Sequence, residues 1–242
     1  MDPAPHPLGP RALARQRTMA RIVELGNTQL IEQGVAGLSV REIARGLGMV
    51  SSAIYRYVGS RDELLTLLIV DAFADLADSV DAAVSAAGTS EGGDPRARFL
   101  ALGDAMCAWA IAHPERWTLL YGTPVRDYAA PADTTNADGT RVMQAVLHIA
   151  ADAAEQGSIG RGAASGSEDL APEVTSLLES HLAEFGVETA PATEFAALTA
   201  WSSLVGVISA HVFGQLGADA AAIGEHILRP QVRMLADLVA PR

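Results

Sequence analysis

Apolar residues recur along most of this chain at spacings of three and four, the period of a helix with one buried face. No segment shows the two-residue alternation of a strand. Between Arg11 and Gln33 the positions Met19, Ile22, Val23, Gly26 and Leu30 fall on one helical face, and Gly34 and Gly37 end the helix. Ser39–Leu47 predicts a short second helix with Val40, Ile43, Ala44 and Leu47 inward, broken by Gly48. A third runs from about Ser51 to Tyr57, and a long fourth from after Ser60 to about Ala87. Beyond a loop at 87–95, helices are predicted over Arg96–Ala112, from Pro114, and over Gly139–Glu155, Leu170–Phe185, Ala192–Gln215 and Ala218–Val239. Residues 122–136 and 157–167 read as loops, the latter flexible, and Pro230 is expected to kink or divide the last helix. The predicted fold class is all-α.

Two stretches have the form of a capping box: Ser39-Val40-Arg41-Glu42 and Ser60-Arg61-Asp62-Glu63. In such a box the serine hydroxyl accepts from the amide three residues on, and the glutamate carboxylate reaches back to the serine amide. Within 39–61, Ile43, Ala44, Leu47, Ile54 and Val58 face a core. Ser51, Ser52, Tyr55, Arg56 and Tyr57 are left outside.

Composition sharpens this picture in three places. With 49% hydrophobic and 5% aromatic residues, the 242-residue chain suits a helical globular protein of one or two domains. The single cysteine, Cys107, excludes an intramolecular disulfide or a cysteine metal cluster and fits a reducing cytoplasm. Residues 1–10 lack the apolar run of a signal peptide and read as a disordered tail. Phe195–Ala218 is uncharged and long enough to cross a bilayer. It nevertheless carries Thr199, Ser202, Ser203, Ser209, His211 and Gln215, so the expectation is a helix buried at a subunit interface and no membrane partner.

The net charge of −12 conceals an asymmetry. All 17 basic residues are arginine; eight precede or include Arg61, against four acids, whereas the remainder holds nine against 25 acids. A basic head on an acidic body can touch nucleic acid with one end and repel it with the other. The outward set on the third helix suits a major groove: short hydroxyls let the helix sink in, tyrosine hydroxyls reach phosphates, and Arg56 reaches a phosphate or a guanine edge. Arg61 can hold a further backbone phosphate, and Arg11, Arg15 and Arg17 can clamp the flank.

The residues Ser39-Val40-Arg41-Glu42-Ile43-Ala44, Leu47-Gly48, Ala53-Ile54-Tyr55-Arg56-Tyr57 and Arg61-Asp62-Glu63-Leu64-Leu65 resemble the TetR family of bacterial transcription regulators over roughly residues 15 to 65. The resemblance implies a three-helix, helix-turn-helix DNA-binding domain at 11–61 and a helical ligand-binding and dimerisation domain at 62–242. It also implies DNA contacts from Ser39, Ser51, Ser52, Tyr55, Arg56 and Tyr57, with Arg61 as the basic residue opening the fourth helix; local charge adds Arg17 to this set. Two positions depart from the family pattern. Val50 stands where Ser or Thr often caps the recognition helix, so that Ser51 is expected to take over the cap, and Val58 stands where an aromatic is usual.

Further on, His113-Pro114-Glu115-Arg116-Trp117 through Pro124 looks like a segment of an actinobacterial TetR subgroup. Trp201-Ser202-Ser203-Leu204-Val205-Gly206 resembles that subgroup's Trp-x-x-Leu-His-Gly signature, with Val205 in place of His. Met106, Trp109, Trp117, Tyr121, Met143, Leu147 and Trp201 are candidates either to line a pocket for a largely apolar small molecule or to pack as core. His148 and His181 are candidates for polarity in such a pocket or for surface positions.

No metal-ligand spacing joins the six histidines, and no nucleophile elbow or Gly-rich phosphate loop is present, so no metal, cofactor or catalytic residue is expected. A helical enzyme built on Cys107, His113 or His148 is the rival class. The expected protein is not an enzyme. It is a homodimeric, cytoplasmic, effector-released repressor of a palindromic operator, with an activator or ligand-independent regulator as the alternatives. Dimerisation has a geometric reason: one short recognition helix reads few base pairs, and two placed about 34–36 Å apart read a palindrome.

Overall fold

Proline opens five of the helices at their first position: Pro10, Pro95, Pro114, Pro172 and Pro191. There the missing N–H has no intrahelical partner to lose and the fixed φ is already helical. In the computed structural model, which describes residues 9–88, 93–126, 128–157 and 170–241, the chain is all-α, with no strand among the described residues. The helices are α1 (Pro10–Gln33), α2 (Val40–Gly46), α3 (Ser51–Ile54), α4 (Arg61–Ala87), α5 (Pro95–Ala112), α6 (Pro114–Tyr121), α7 (Ala132–Gly139), α8 (Arg141–Glu155), α9 (Pro172–Phe185), α10 (Pro191–Val212), α11 (Ala218–Ala222) and α12 (Gly224–Val239). A 3-10 turn, Val35–Gly37, follows α1.

Two compact units result. One takes the chain up to Asp71 together with Pro124–Pro131; the other takes Ala72–Thr123 and everything from Ala132. The division falls inside α4 rather than before it, because the first turns of α4 carry Leu64, Leu65 and Leu68, which are buried with Ile22, Leu30, Ile43, Ile54 and Val58 in the amino-terminal unit. Gly26 lets α1 and α4 approach: a Cβ there would stand 2.9 Å from Cδ2 of Leu68. Most of the tail expected at 1–10 lies outside the described residues, and Pro10 already belongs to α1.

Both capping boxes form only by half. The Ser39 hydroxyl accepts from the Glu42 amide at 3.3 Å and the Ser60 hydroxyl from the Glu63 amide at 3.0 Å. The return bonds go elsewhere. The Ser39 amide donates to Oε1 of Gln29 on α1 at 2.9 Å, and the Glu42 carboxylate takes Arg45 instead. Glu63 accepts from the amide of Gly59 at 2.6 Å. Gly48, with φ of 66°, ends α2 in a left-handed residue, and the Met49 amide bonds back to the Ala44 carbonyl at 2.9 Å.

In the carboxy-terminal unit α10 is the element the others pack on: α5, α6, α8, α9 and α12 all contact it. Its inward residues Ala197, Ala200, Leu204 and Ile208 are buried. Helices α5 and α12 close tightly at Gly103, where a Cβ would stand 2.4 Å from Cγ1 of Val232. Arg141 at the start of α8 pairs with Asp78 and Asp81 of α4 and with Asp138 of α7.

Two expectations change here. The stretch 122–136, read as loop, holds the start of α7, whose polar sequence is seated by buried Thr135 and by Gly139 against the Phe73 ring. The last helix divides at Ile223, not at Pro230, which lies inside α12. No residue of Ala218–Ala222 is fully buried, so little packing holds that piece in line with α12. The loop at 157–167 lies almost wholly outside the described residues.

Gln29→Met is expected to lower stability by about 1–3 kcal/mol, because it leaves the Ser39 amide without an acceptor away from bulk water. Ser39→Ala is expected to cost ~1 kcal/mol through the lost cap. Urea denaturation of the full chain followed by circular dichroism measures both.

Candidate nucleic-acid interface

Helix α3 has only four residues, and Ile54 and Val58 beneath it are 0% and 1% exposed. Those two side chains, one turn apart, fix which way the segment faces. The helical path continues past Ile54: the Tyr57 and Val58 amides donate to the Ile54 carbonyl at 2.8 and 3.0 Å. Ser51, Ser52, Tyr55 and Arg56 consequently stand exposed on the outer side. Tyr57 is half-buried, its ring 5.2 Å from the Arg15 guanidinium. Arg15 also donates to the Arg56 carbonyl at 3.2 Å, so α1 clasps the end of the recognition segment.

The expected cap at Ser51 does not form. Val50 is the N-cap residue, and no side chain bonds the first-turn amides of α3. Two of the candidate residues are already engaged: the Ser39 oxygen caps α2, and half-buried Arg61 donates to the Val35 carbonyl at 2.6 Å, tying α4 to the 3-10 turn. Arg17 is exposed on α1. Elsewhere on this unit a groove of about 360 Å³ lies between α1 and α2, lined by Leu25, Thr28, Gln29, Glu32, Gln33 and Glu42 among others. Its charged residues are Glu32 and the ion pair of Glu42 with Arg45, which leaves one net negative charge, in contrast with the hydroxyl, phenol and guanidinium surface on α3.

The seven residues proposed for a ligand in the carboxy-terminal unit are largely core. Met106, Trp109, Trp117 and Leu147 are buried, and Tyr121, Met143 and Trp201 are half-buried. The Trp109 indole N–H donates to Asp75 at 2.9 Å and that of Trp117 to the Ser209 hydroxyl at 3.1 Å. Tyr121 packs on Trp117, centroids 4.5 Å apart, and edge-on to Phe73, and burial pushes its hydroxyl well above the usual tyrosine range. The Cys107 thiol is pushed up to about 12, first by burial and then by Asp104, which leaves it protonated and a poor nucleophile. His148 is exposed, whereas Nδ1 of half-buried His181 lies 3.6 Å from the buried Glu194 carboxylate.

Sequence reasoning passed over the positioning roles of three residues: Gln29 and Asp75 were not singled out, and Arg15 was named only as a flanking cation. Gln29 interrupts the apolar face of α1, the mark of a buried hydrogen bond. Arg15 carried no mark beyond its charge. Asp75 belongs to a row of acids on α4, Asp71, Asp75, Asp78 and Asp81, spaced three and four apart along one face. Its carboxylate takes Trp109 and, at 2.6 Å, Arg116.

The chain matches two family models: one for bacterial regulatory proteins of the tetR family, over residues 22–68, and one for the tetracyclin repressor-like C-terminal domain, over residues 99–235. It is 44% identical over 234 residues to the HTH-type transcriptional regulator Rv1816 of Mycobacterium tuberculosis strain H37Rv, covering 96% of this chain and 97% of that protein. The same figures hold for the HTH-type transcriptional regulator Mb1846 of Mycobacterium bovis. Among solved structures, SCO4313, described as a regulatory protein, superposes with a TM-score of 0.69 at 29% identity, covering 93% of this chain and 98% of that one. With its exposed recognition segment mounted on Ile54 and Val58 and both parts matched, the chain belongs to the TetR family of DNA-binding bacterial transcription regulators.

Proposed function

We propose that this regulator is a cytoplasmic, homodimeric repressor that binds a palindromic operator through two copies of the Ser51–Tyr57 surface and leaves it when a small, largely apolar molecule binds the carboxy-terminal unit. The observation that carries the DNA half of this reading is the outward set Ser51, Ser52, Tyr55 and Arg56, clamped from behind by Ile54 and Val58. Arg56 supplies charge for a phosphate or a guanine edge, Tyr55 a hydroxyl for the backbone, and the serines short donors that do not hold the helix off the bases. Arg17 and Tyr57 approach the flanking backbone, with Ser39 and Arg61 holding the ends of α2 and α4 at the same surface.

Self-association is supported by apolar surface that the isolated chain leaves open. Along α10 the exposed residues Phe195, Thr199, Ser202 and Gly206 recur every three or four positions, and nothing stands within 4 Å of where a Cβ on Gly206 would lie. On α12, Met234 is 70% exposed and Ile223, just before it, 50%. Small residues on one helix beside large apolar ones on another suit close packing against a second copy.

Effector release is a matter of coupling. A ligand that binds better to the DNA-incompetent arrangement lowers DNA affinity by the factor by which DNA lowers its own. The aromatic group of Trp117, Tyr121 and Trp201, with Met106, Trp109, Met143 and Leu147 near it, is packed core that would have to open to admit an apolar effector.

Arg56→Ala is expected to weaken operator binding by about 1–3 kcal/mol in fluorescence anisotropy at fixed salt, with the circular dichroism spectrum unchanged because the side chain is exposed. Unchanged affinity would remove Arg56 from the interface. The double substitution Gly206→Arg with Met234→Glu is expected to give a folded monomer in sedimentation velocity that binds operator at least tenfold more weakly than the parent. A dimer of undiminished stability would place the subunit contact elsewhere.

A further inference from the structure

Val50 is 71% exposed, and it occupies the tip of the recognition segment rather than a scattered surface site. Its position makes it costly. As N-cap of α3 it offers no oxygen to the first-turn amides, where serine, threonine, aspartate or asparagine would. The isopropyl group is therefore free to meet whatever the tip of α3 docks against.

The surroundings narrow what that is. The next residues outward, Ser51 and Ser52, are short and polar. In helix-turn-helix docking the amino-terminal residues of the recognition helix are the ones that meet base edges. Among those edges in the major groove, the apolar feature is the C5 methyl of thymine. The side chain also enters with little rotamer freedom to lose, since branching at Cβ restricts χ1.

We infer that Val50 is a specificity-determining residue whose isopropyl group packs on the C5 methyl of a thymine in each operator half-site. The inference rests on the DNA-binding reading above but concerns a residue outside the polar contact set, and it names a base. In place of the hydrogen bonds that a serine or threonine would form at this point, the tip of α3 makes a methyl-to-methyl contact, and it discriminates thymine from cytosine and from uracil.

The test uses the full chain and a duplex selected by it from random-sequence DNA. Each thymine of the selected site is replaced in turn by deoxyuridine, which removes the methyl and leaves the hydrogen-bonding edge intact. The parent protein is expected to lose about three- to fivefold in affinity at one thymine per half-site, the worth of one buried methyl. Val50→Ala, an exposed substitution that leaves the core untouched, is expected to bind the unmodified site more weakly and to lose that deoxyuridine penalty. Val50→Thr, which keeps one methyl, is expected to fall between. Indifference of the parent protein to every thymine methyl overturns the inference, as does a deoxyuridine penalty of equal size in Val50→Ala; both leave DNA binding itself standing. Selection of no duplex at all overturns the DNA-binding reading, and this inference with it.

Discussion

A helix of four residues has no stability of its own: nucleating a helical turn is unfavourable, and α3 is little more than the nucleus. Its shape must be imposed from outside. Ile54 and Val58 impose it from below, by burial that only one orientation of the segment permits. Arg15 imposes it from the side, through the Arg56 carbonyl and the Tyr57 ring. Gly48 imposes it from upstream, because the left-handed residue after α2 sets the angle at which the chain enters α3. The polar face of the segment is exposed as a consequence of these anchors.

The rest of the amino-terminal unit holds the anchors still. Gln29 of α1 holds the Ser39 amide at the head of α2, Arg61 of α4 holds the Val35 carbonyl, and Gly26 lets Leu68 close against α1. In the carboxy-terminal unit the organising element is α10. It buries Ala197, Ala200, Leu204 and Ile208 inward while leaving Thr199, Ser202 and Gly206 open. This two-faced character accounts for a hydropathy that would satisfy a membrane span by length and composition, since Pro191–Val212 is long and apolar enough to cross one. In a family of DNA-binding regulators, a helix with one face in a core explains the same composition.

Much of this was legible in order along the chain. The helical period and the glycine after α2 are local signals, and they placed α1, α2, α4, α5 and α10 within a few residues, the prolines that open α1, α5 and α10 being read as lying just outside them. The outward set on α3 followed from Ile54 and Val58 alone. What was not legible depended on contacts distant in sequence. The serine half of each capping box is local and formed. The glutamate half failed where a stronger competitor arrived: Gln29, ten residues upstream of Ser39, took its amide. The polar sequence of α7 hid a helix seated by Phe73 from far upstream. The break at Ile223 replaced the one expected at Pro230 because a proline inside a well-packed helix is tolerated, whereas an unpacked alanine run is not held in line. Similarly, the partners of the Trp109 and Trp117 indoles, Asp75 and Ser209, lie 34 and 92 residues away and could not be read locally.

The orientation of α3 can be tested directly by photo-crosslinking. A benzophenone side chain introduced at Tyr55, in the full chain bound to its selected duplex, is expected to attach to DNA within each half-site, and the same probe at Thr28, in the groove between α1 and α2, is not. Attachment from Thr28 with none from Tyr55 would mean that the face buried over Ile54 and Val58 has been assigned the wrong way round.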